Sequence, residues 1–357
     1  MEDKMIKLTR ETESLLEDIE QRIDTEVEDA YRAEWIDFLN GDFTGDLFEP
    51  KRSIQSPAGV PIYPININDA VEDLDLMIRL ELQSVSTVLA RGRGVLGIRA
   101  NYGTGILPSL FGPEVFMMPR ETNTLPTTKP FNDTDKIREL VEKGIPSTAE
   151  GLGGKVFEFG EAVAEIFERY PKIKKYVDVF HPDTQGPLDI CEMLWGSEMF
   201  YALYDEPELL HEFLTLLTDT FIEFSDKWHE IFPLNTNMSS HWCQFYHRGG
   251  LVLRCDSAMN LSPEFYEEFS VPYDKKLLER YGGGIVHFCG RGDHYIEKTV
   301  EMPCVLGINM SQPQYNDMEK IYKNTVDKGI KIFGFSRQQA MNDLSHNGGF
   351  NHCMHIL

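Results

Sequence analysis

The sequence has few basic residues for its acidic content, and it has no long apolar run. Acidic residues outnumber Lys and Arg by 58 to 34, which gives a formal net charge of -24. Because a surface this negative repels nucleic-acid phosphates and anionic lipids, nucleic acids and membranes are poor partners. No apolar stretch approaches the roughly 18 residues that span a bilayer, and the charged segment 1–10 lacks the apolar core of a signal peptide. These absences predict a soluble, cytoplasmic protein.

Cysteine is also sparse, and its distribution excludes a disulfide scaffold. The chain has 6 cysteines in 357 residues, all in its second half. Small secreted disulfide-rich domains are shorter and denser in cysteine. We therefore expect free thiols in a reducing compartment, most of them acting as small core residues. The cysteines are Cys191, Cys243, Cys255, Cys289, Cys304 and Cys353.

Short apolar segments alternate with helix-length segments through most of the chain. Amphipathic helices are predicted at 8–40 and 68–90. Strands are predicted at 95–101, 177–181, 241–246, 251–254, 285–288, 305–309 and 330–335. Strands separated by helices indicate parallel βαβ units, and their number is close to eight. We therefore predict an α/β protein: a (β/α)8 TIM barrel over residues 92–357, preceded by a helical extension over residues 1–91.

The segment after residue 260 carries a strong helix-start signal. Ser262 is a residue type that caps helices, and Pro263 suits the first helical position because that position needs no N–H donor. The apolar periodicity continues to about Tyr281. One helix is therefore predicted from Pro263 to about Tyr281.

Polar residues follow several of the predicted strands. The active site of a parallel barrel lies at the carboxyl ends of its strands, so these residues are candidates for the site. Arg99 and Arg337 are each predicted either to bind an anionic substrate or to pair with a carboxylate. Asp256 is predicted to act as a base or orient a histidine, or alternatively to cap the loop 257–262. We predict Arg99 and Asp256 to be catalytic, and the predicted substrate-binding residues are Tyr102, Gln185, His241, Gln312 and Arg337.

His287 and Cys289 form a His-X-Cys pair at the end of one predicted strand. Side chains alternate along a strand, so both face the same side. Imidazole nitrogen and thiolate sulfur are ligands that Zn²⁺ prefers, and a catalytic zinc needs a third protein ligand and one open position. Cys353 is the predicted third ligand, and the segment His241-Trp242-Cys243, which has the same spacing, is the alternative. The competing interpretation is a packed thiol beside a hydrogen-bonded histidine.

An ordered set of motifs resembles the uroporphyrinogen decarboxylase superfamily. The resemblance covers roughly residues 90–357 and implies a (β/α)8 barrel. Its motifs are Thr184-Gln-Gly-Pro-Leu-Asp-Ile190, Leu194-Trp-Gly196, Tyr204-Asp-Glu-Pro-Glu-Leu209, Asp256-Ser-Ala258, Leu261-Ser-Pro-Glu-Phe-Tyr-Glu-Glu-Phe269, Pro272-Tyr273 and Ile285-Val-His-Phe-Cys-Gly290.

The superfamily contains two chemistries, and the site residues resemble one of them more closely. Its decarboxylases need no metal and carry an Arg-Gln-Ala-Gly-Arg type segment, for which Arg99-Ala-Asn-Tyr102 is at most a partial substitute. Its corrinoid-linked methyltransferases carry His-X-Cys and a distant cysteine as zinc ligands. His287 and Cys289 match the first two ligands, and Cys353 is the downstream candidate for the third. The resemblance therefore implies zinc, and a corrinoid delivered by a partner protein.

Three functions follow as expectations. The first is a zinc-dependent methyltransferase that moves a methyl group between a corrinoid and a thiol or related small acceptor. The second is a metal-free, decarboxylase-like lyase that acts on a carboxylated substrate, with Arg99, Arg337 and Asp256 as binding and acid–base groups. The third is a protein that binds a corrinoid or tetrapyrrole without turnover.

Overall fold

The computed structural model describes residues 6–241, 245–344 and 349–357, which form an α/β structure. The helices, numbered in chain order, are α1 (Arg10–Arg22), α2 (Thr25–Asn40), α3 (Ile67–Glu72), α4 (Leu74–Arg91), α5 (Ile106–Ser109), α6 (Thr134–Lys143), α7 (Gly153–Phe167), α8 (Pro171–Tyr176), α9 (Pro187–Trp195), α10 (Glu198–Asp205), α11 (Pro207–Ile231), α12 (Pro263–Phe269), α13 (Val271–Arg280), α14 (Ile296–Val300), α15 (Met318–Asn324) and α16 (Arg337–Asp343). The strands are β1 (Leu47–Phe48), β2 (Gly97–Ile98), β3 (Val115–Phe116), β4 (Thr127–Thr128), β5 (Asp178–Val179), β6 (Ser239–His241), β7 (Phe245–His247), β8 (Leu251–Arg254), β9 (Gly284–Phe288), β10 (Val305–Met310), β11 (Lys331–Phe335) and β12 (Met354–Ile356).

The predicted helix after residue 260 starts where expected but is divided in two. The Ser262 side chain accepts the backbone N–H of Phe265, and Pro263 is the first residue of α12, so the predicted start is confirmed. The helix stops at Phe269, and α13 begins at Val271. Pro272 lacks the N–H that a continuous helix needs, and its ring crowds the preceding turn. The single helix to Tyr281 is therefore corrected to two.

The central sheet contains six parallel strands in the order β1-β12-β11-β10-β9-β8. Its register aligns Arg254 of β8 with His287 of β9, and His287 with Asn309 of β10. Asn309 is in turn aligned with Phe333 of β11. This row across four strands lies close to their carboxyl ends, and it brings together the side chains of the candidate site.

Both faces of this sheet are buried, and successive residues of one strand contribute to different cores. Val286 of β9 belongs to a large core with the surrounding helices. Its neighbour Ile285 belongs to a smaller core with Trp35 and Phe38 of α2. Strands buried on both faces are typical of parallel sheets covered by helices. His287 shares the face of Ile285, because side chains two residues apart point the same way.

Besides this six-stranded sheet, the described strands form a separate parallel pair of β2 and β5 and two antiparallel pairs, β3 with β4 and β6 with β7. One edge of β2 pairs with β5. Just beyond β2, the backbone N–H of Arg99 donates to the buried carboxylate of Glu81 at 3.0 Å. In a continuous sheet, a carbonyl of the neighbouring strand would accept this N–H group. Here the side chain of Glu81, from α4, accepts it instead. The α/β class is confirmed, and the closed (β/α)8 barrel stays a prediction.

Residues 1–91 do more than form a helical extension. β1 lies within this segment and pairs with β12 in the main sheet, with Leu47 opposite Met354. Just after β1, Arg52 makes a buried ion pair with Glu28 of α2 at 2.5 Å. The segment 1–91 therefore supplies an edge strand as well as the predicted helices, and the domain boundary at residue 92 stays a prediction.

Across the ranges that the structure describes, no helix is both long enough and apolar enough to cross a membrane.

Candidate metal site

Three potential metal ligands converge beyond the carboxyl ends of β8 and β9. The Nε2 atom of His287 lies 3.5 Å from Cys289 Sγ and 3.8 Å from Asp256 Oδ1. All three ligand atoms lie within 4.8 Å of one another. The His-X-Cys spacing places its two side chains together as predicted, and the neighbouring strand supplies the carboxylate. Ligand sites of parallel sheets lie at this edge.

Backbone hydrogen bonds hold Asp256 and Cys289 in position. The carboxylate of Asp256 accepts the backbone N–H of Cys289 at 2.6 Å. Asp256 also precedes the helical turn at 257–260 as its N-cap residue, but its side chain makes no capping hydrogen bond there. The buried carboxylate of Asp189, at the start of α9, accepts the N–H groups of Asp256 and Ser257 at 3.0 and 2.7 Å. Asp189 was not among the predicted site residues, although it lies within the motif 184–190.

Gly290 allows the chain to turn directly after Cys289. Its φ of +70° lies in the left-handed region, which favours glycine. The N–H of Gly290 donates to Gln312 Oε1 at 2.6 Å, and Cys289 Sγ lies 3.5 Å from the hydroxyl of Ser311. Gln312, predicted to bind substrate, is therefore at the site and contacts the loop that carries Cys289.

His287 is fully buried and contacts an amide on the adjacent strand. Its Nδ1 atom lies 2.5 Å from Asn309 Oδ1, and Asn309 Nδ2 donates to the carbonyl of Phe333 at 2.7 Å. Burial, together with the positive charge of Arg254, lowers the pKa of His287. The imidazole is therefore neutral near pH 7, which is the form that binds metals.

Cys289 is partly buried, and burial raises the pKa of its thiol. A thiol must lose its proton to become a metal ligand, so metal binding at this site releases a proton. The neutral imidazole, the protonated thiol and the partly exposed carboxylate of Asp256 together form a site that a divalent cation can enter from solvent.

A buried ion network lies beside the three ligands. Asp183 binds Arg254 Nε at 2.7 Å and Arg99 at 3.0 Å, and it also accepts a hydrogen bond from Gln185 at 3.0 Å. Burial opposes the ionisation of Asp183, but Arg254 and Arg99 more than offset it and lower the pKa of its carboxyl. Of the two roles predicted for Arg99, the structure shows the pairing with a carboxylate.

Arg99 and His241 line a common cavity of about 160 Å³, together with Glu81, Asn101 and Phe180. His241 is fully buried in β6, and its ring centroid lies 5.5 Å from that of His181. This brings two of the predicted site residues together next to the ion network, although neither joins the group of metal ligands.

Two other predicted substrate-binding residues have partners other than the three ligands. Tyr102 is 2% exposed and packs in the large core. Arg337 is 55% exposed and forms an ion pair with Glu49, just beyond β1. The type of a residue and its position after a strand do not indicate whether its side chain points toward a site or into the core.

The structure does not place Cys353 near His287 and Cys289, so its prediction as third ligand is corrected. Cys353 immediately precedes β12, and its carbonyl accepts the N–H of Ile332 at 2.8 Å. Cys353 precedes its strand, whereas Cys289 follows β9. Because the strands are parallel, the two residues lie at opposite ends of the strands. β12 is also three strands away from β9. In the alternative segment 241–243, His241 is described but does not join the group of Asp256, His287 and Cys289, and Cys243 lies outside the described residues.

No protein-family model and no curated protein matches this chain. The resemblance to the uroporphyrinogen decarboxylase superfamily therefore stays a prediction, and the function has to be inferred from the site.

Proposed function

We propose that this protein is a zinc-dependent methyltransferase that moves a methyl group between a corrinoid and a thiol or related small acceptor, on a (β/α)8 barrel. The observation that supports this most is the convergence of Asp256, His287 and Cys289 at the carboxyl ends of two adjacent strands. The resemblance of their sequence setting to corrinoid-linked methyltransferases supports it further.

The donor set and its spacing fit zinc. Carboxylate oxygen, imidazole nitrogen and thiolate sulfur all bind Zn²⁺, at bond lengths of about 2.0–2.3 Å. Around a tetrahedral ion such bonds place neighbouring ligand atoms about 3.3–3.8 Å apart. The distance of 3.5 Å from His287 Nε2 to Cys289 Sγ agrees with that geometry, and the distance of 3.8 Å to Asp256 Oδ1 is a few tenths of an ångström longer than a nitrogen–oxygen pair on one zinc ion requires. Three protein ligands leave a fourth position for a substrate.

The chemistry follows from this open position. When bound, zinc lowers the pKa of a thiol beside it, so that the nucleophilic thiolate forms near neutral pH. Arg254, held by Asp183, keeps a positive charge beside His287 and favours a negative charge at the open position. Asp256 is partly exposed, so the site is open to solvent, as access by a corrinoid on a partner protein requires.

The direct test combines metal analysis with a transfer assay. Protein purified without chelators is expected to contain close to one zinc per chain. It should transfer the methyl group of methylcobalamin to a small thiol, which changes the absorbance of the corrinoid. Asp256→Ala and Cys289→Ser variants should lose both zinc and transfer. Wild-type protein that stays zinc-free after incubation with Zn²⁺ would contradict the proposal.

The alternative functions have less support. For a metal-free lyase, Arg99 and Arg337 would have to act with Asp256, but Arg99 pairs with Asp183 and Arg337 with Glu49. The same assay distinguishes a binding protein without turnover from a methyltransferase. Such a protein would shift the corrinoid spectrum without forming a methylated thiol.

A further inference from the structure

We propose that Asn309 is a positioning residue that holds the proton of His287 on Nδ1, so that Nε2 directs a lone pair into the candidate metal site. The inference deepens the proposed function and rests on it for its role in zinc binding. The position of the proton itself is a property of the metal-free protein.

Sheet register places the two side chains together. Asn309 of β10 lies directly opposite His287 of β9, and both side chains share one face of the sheet. The two residues are 4% and 2% exposed. Asn309 Oδ1 lies 2.5 Å from His287 Nδ1. Water therefore has little access to compete for this hydrogen bond.

A third strand decides which end of the Asn309 amide faces the histidine. Asn309 Nδ2 donates to the carbonyl oxygen of Phe333 on β11 at 2.7 Å. Because a carbonyl oxygen only accepts hydrogen bonds, the NH₂ group has to face Phe333 and the Oδ1 atom has to face His287. Oδ1 carries no proton, so the hydrogen bond to it requires a proton on His287 Nδ1.

The consequence appears on the other side of the ring. A neutral imidazole has one proton, so Nε2 is left with a lone pair. Nε2 is the atom that faces Cys289 and Asp256, at 3.5 and 3.8 Å. With the proton on Nε2 instead, the histidine would donate a hydrogen bond to Asp256 and could not bind a cation. Asn309 thus selects the tautomer that the site needs.

The test uses two variants of Asn309. Asn309→Leu keeps the branched shape of the side chain but removes the acceptor, and zinc affinity should fall about 10- to 100-fold, as for other residues that orient a ligating histidine. In the metal-free variant, ¹⁵N NMR of histidine-labelled protein should show a substantial population with the His287 proton on Nε2. Asn309→Asp loses the donor to Phe333 but retains an acceptor for His287, so it should keep the proton on Nδ1.

Asn324→Leu is the matched control. Asn324 is 5% exposed and its Nδ2 also donates to a backbone carbonyl, that of Lys320, but it lies in α15 away from the site. This variant should change neither the tautomer nor zinc affinity. Comparison with a His287→Gln variant assigns the NMR signals of His287.

The outcomes separate this inference from the proposed function. An unchanged His287 tautomer in Asn309→Leu would overturn the positioning role, whatever the zinc content. A tautomer that changes as expected in a protein that never binds zinc would retain the positioning role and reject the zinc-dependent function. Equal losses of zinc affinity in Asn309→Leu and Asn324→Leu would show a merely structural effect and reject the role in zinc binding.

Discussion

The carboxylate of Asp256 accepts the backbone N–H of Cys289 at 2.6 Å, across 33 residues of sequence. This charge-assisted hydrogen bond joins the loops that follow two adjacent strands, β8 and β9. It places the carboxylate beside the His-X-Cys pair, where the sequence alone suggested a second cysteine. The same carboxylate thus acts as an acceptor for the backbone and as a candidate ligand.

Asp256→Asn should separate these two roles. The amide oxygen can still accept the N–H of Cys289, so the loop should keep its position, but the negative ligand is lost. Since changes to residues that only orient a ligand cost about 10- to 100-fold in metal affinity, losing the ligand should cost at least about 100-fold. Titration against a zinc chelator measures this. Asp293→Asn is the control, because Asp293 pairs with Arg291 instead, and a similar loss in both variants would contradict the assignment.

Cys289→Ser and Cys353→Ser should differ sharply in zinc content. Cys289 lies 3.5 Å from His287 Nε2, whereas Cys353 precedes β12 at the other edge of the sheet. Metal analysis should find near-complete loss of zinc in the first variant and wild-type zinc in the second. Loss of zinc in Cys353→Ser, with the far-ultraviolet circular dichroism spectrum unchanged, would restore the ligand set that the sequence suggested.

Asp274→Asn should change how stability depends on pH. Asp274 is completely buried, and burial raises the pKa of its carboxyl from 3.8 to about 7. Between these values the folded protein keeps a proton that the unfolded chain has lost, so the group destabilises the fold increasingly as pH rises. The loss is at most about 1.4 kcal/mol per pH unit. The amide that replaces the carboxyl does not titrate, so the free energy of unfolding of the variant should rise relative to the wild type from about pH 4 to about pH 7. Urea denaturation across this range measures the difference, and parallel curves would contradict the prediction.

Arg52→Met should destabilise the fold by about 3–5 kcal/mol, because it leaves the carboxylate of Glu28 buried without its partner. The two side chains are 2% and 3% exposed and form two hydrogen bonds, at 2.5 and 2.9 Å. The double variant Glu28→Gln, Arg52→Met should recover part of the loss. Lys174→Met, in a pair whose side chains are 54% and 65% exposed, should change stability by less than about 0.5 kcal/mol. Denaturation that gives equal losses for Arg52→Met and Lys174→Met would argue against a buried-charge effect.

Local patterns in the sequence were sufficient to place several elements. The apolar run at 251–254 coincides with β8, and the Ser262-Pro263 pair marks the first residue of α12. The His-X-Cys spacing placed His287 and Cys289 on one side, because alternation along a strand is a local property of extended backbone. The α/β class follows from the same kind of local information.

The partners of these residues were decided only by the tertiary structure. Asp256 completes the group of ligands because β8 lies next to β9, and Cys353 does not because β12 starts at the opposite edge, three strands away. Asn309 meets His287 because β10 pairs with β9 in a particular register. Strand order, direction and register depend on how helices and strands distant in sequence pack together. The sequence by itself therefore determined which residues carry chemistry at the end of β9, and the packed sheet determined which residues they act with.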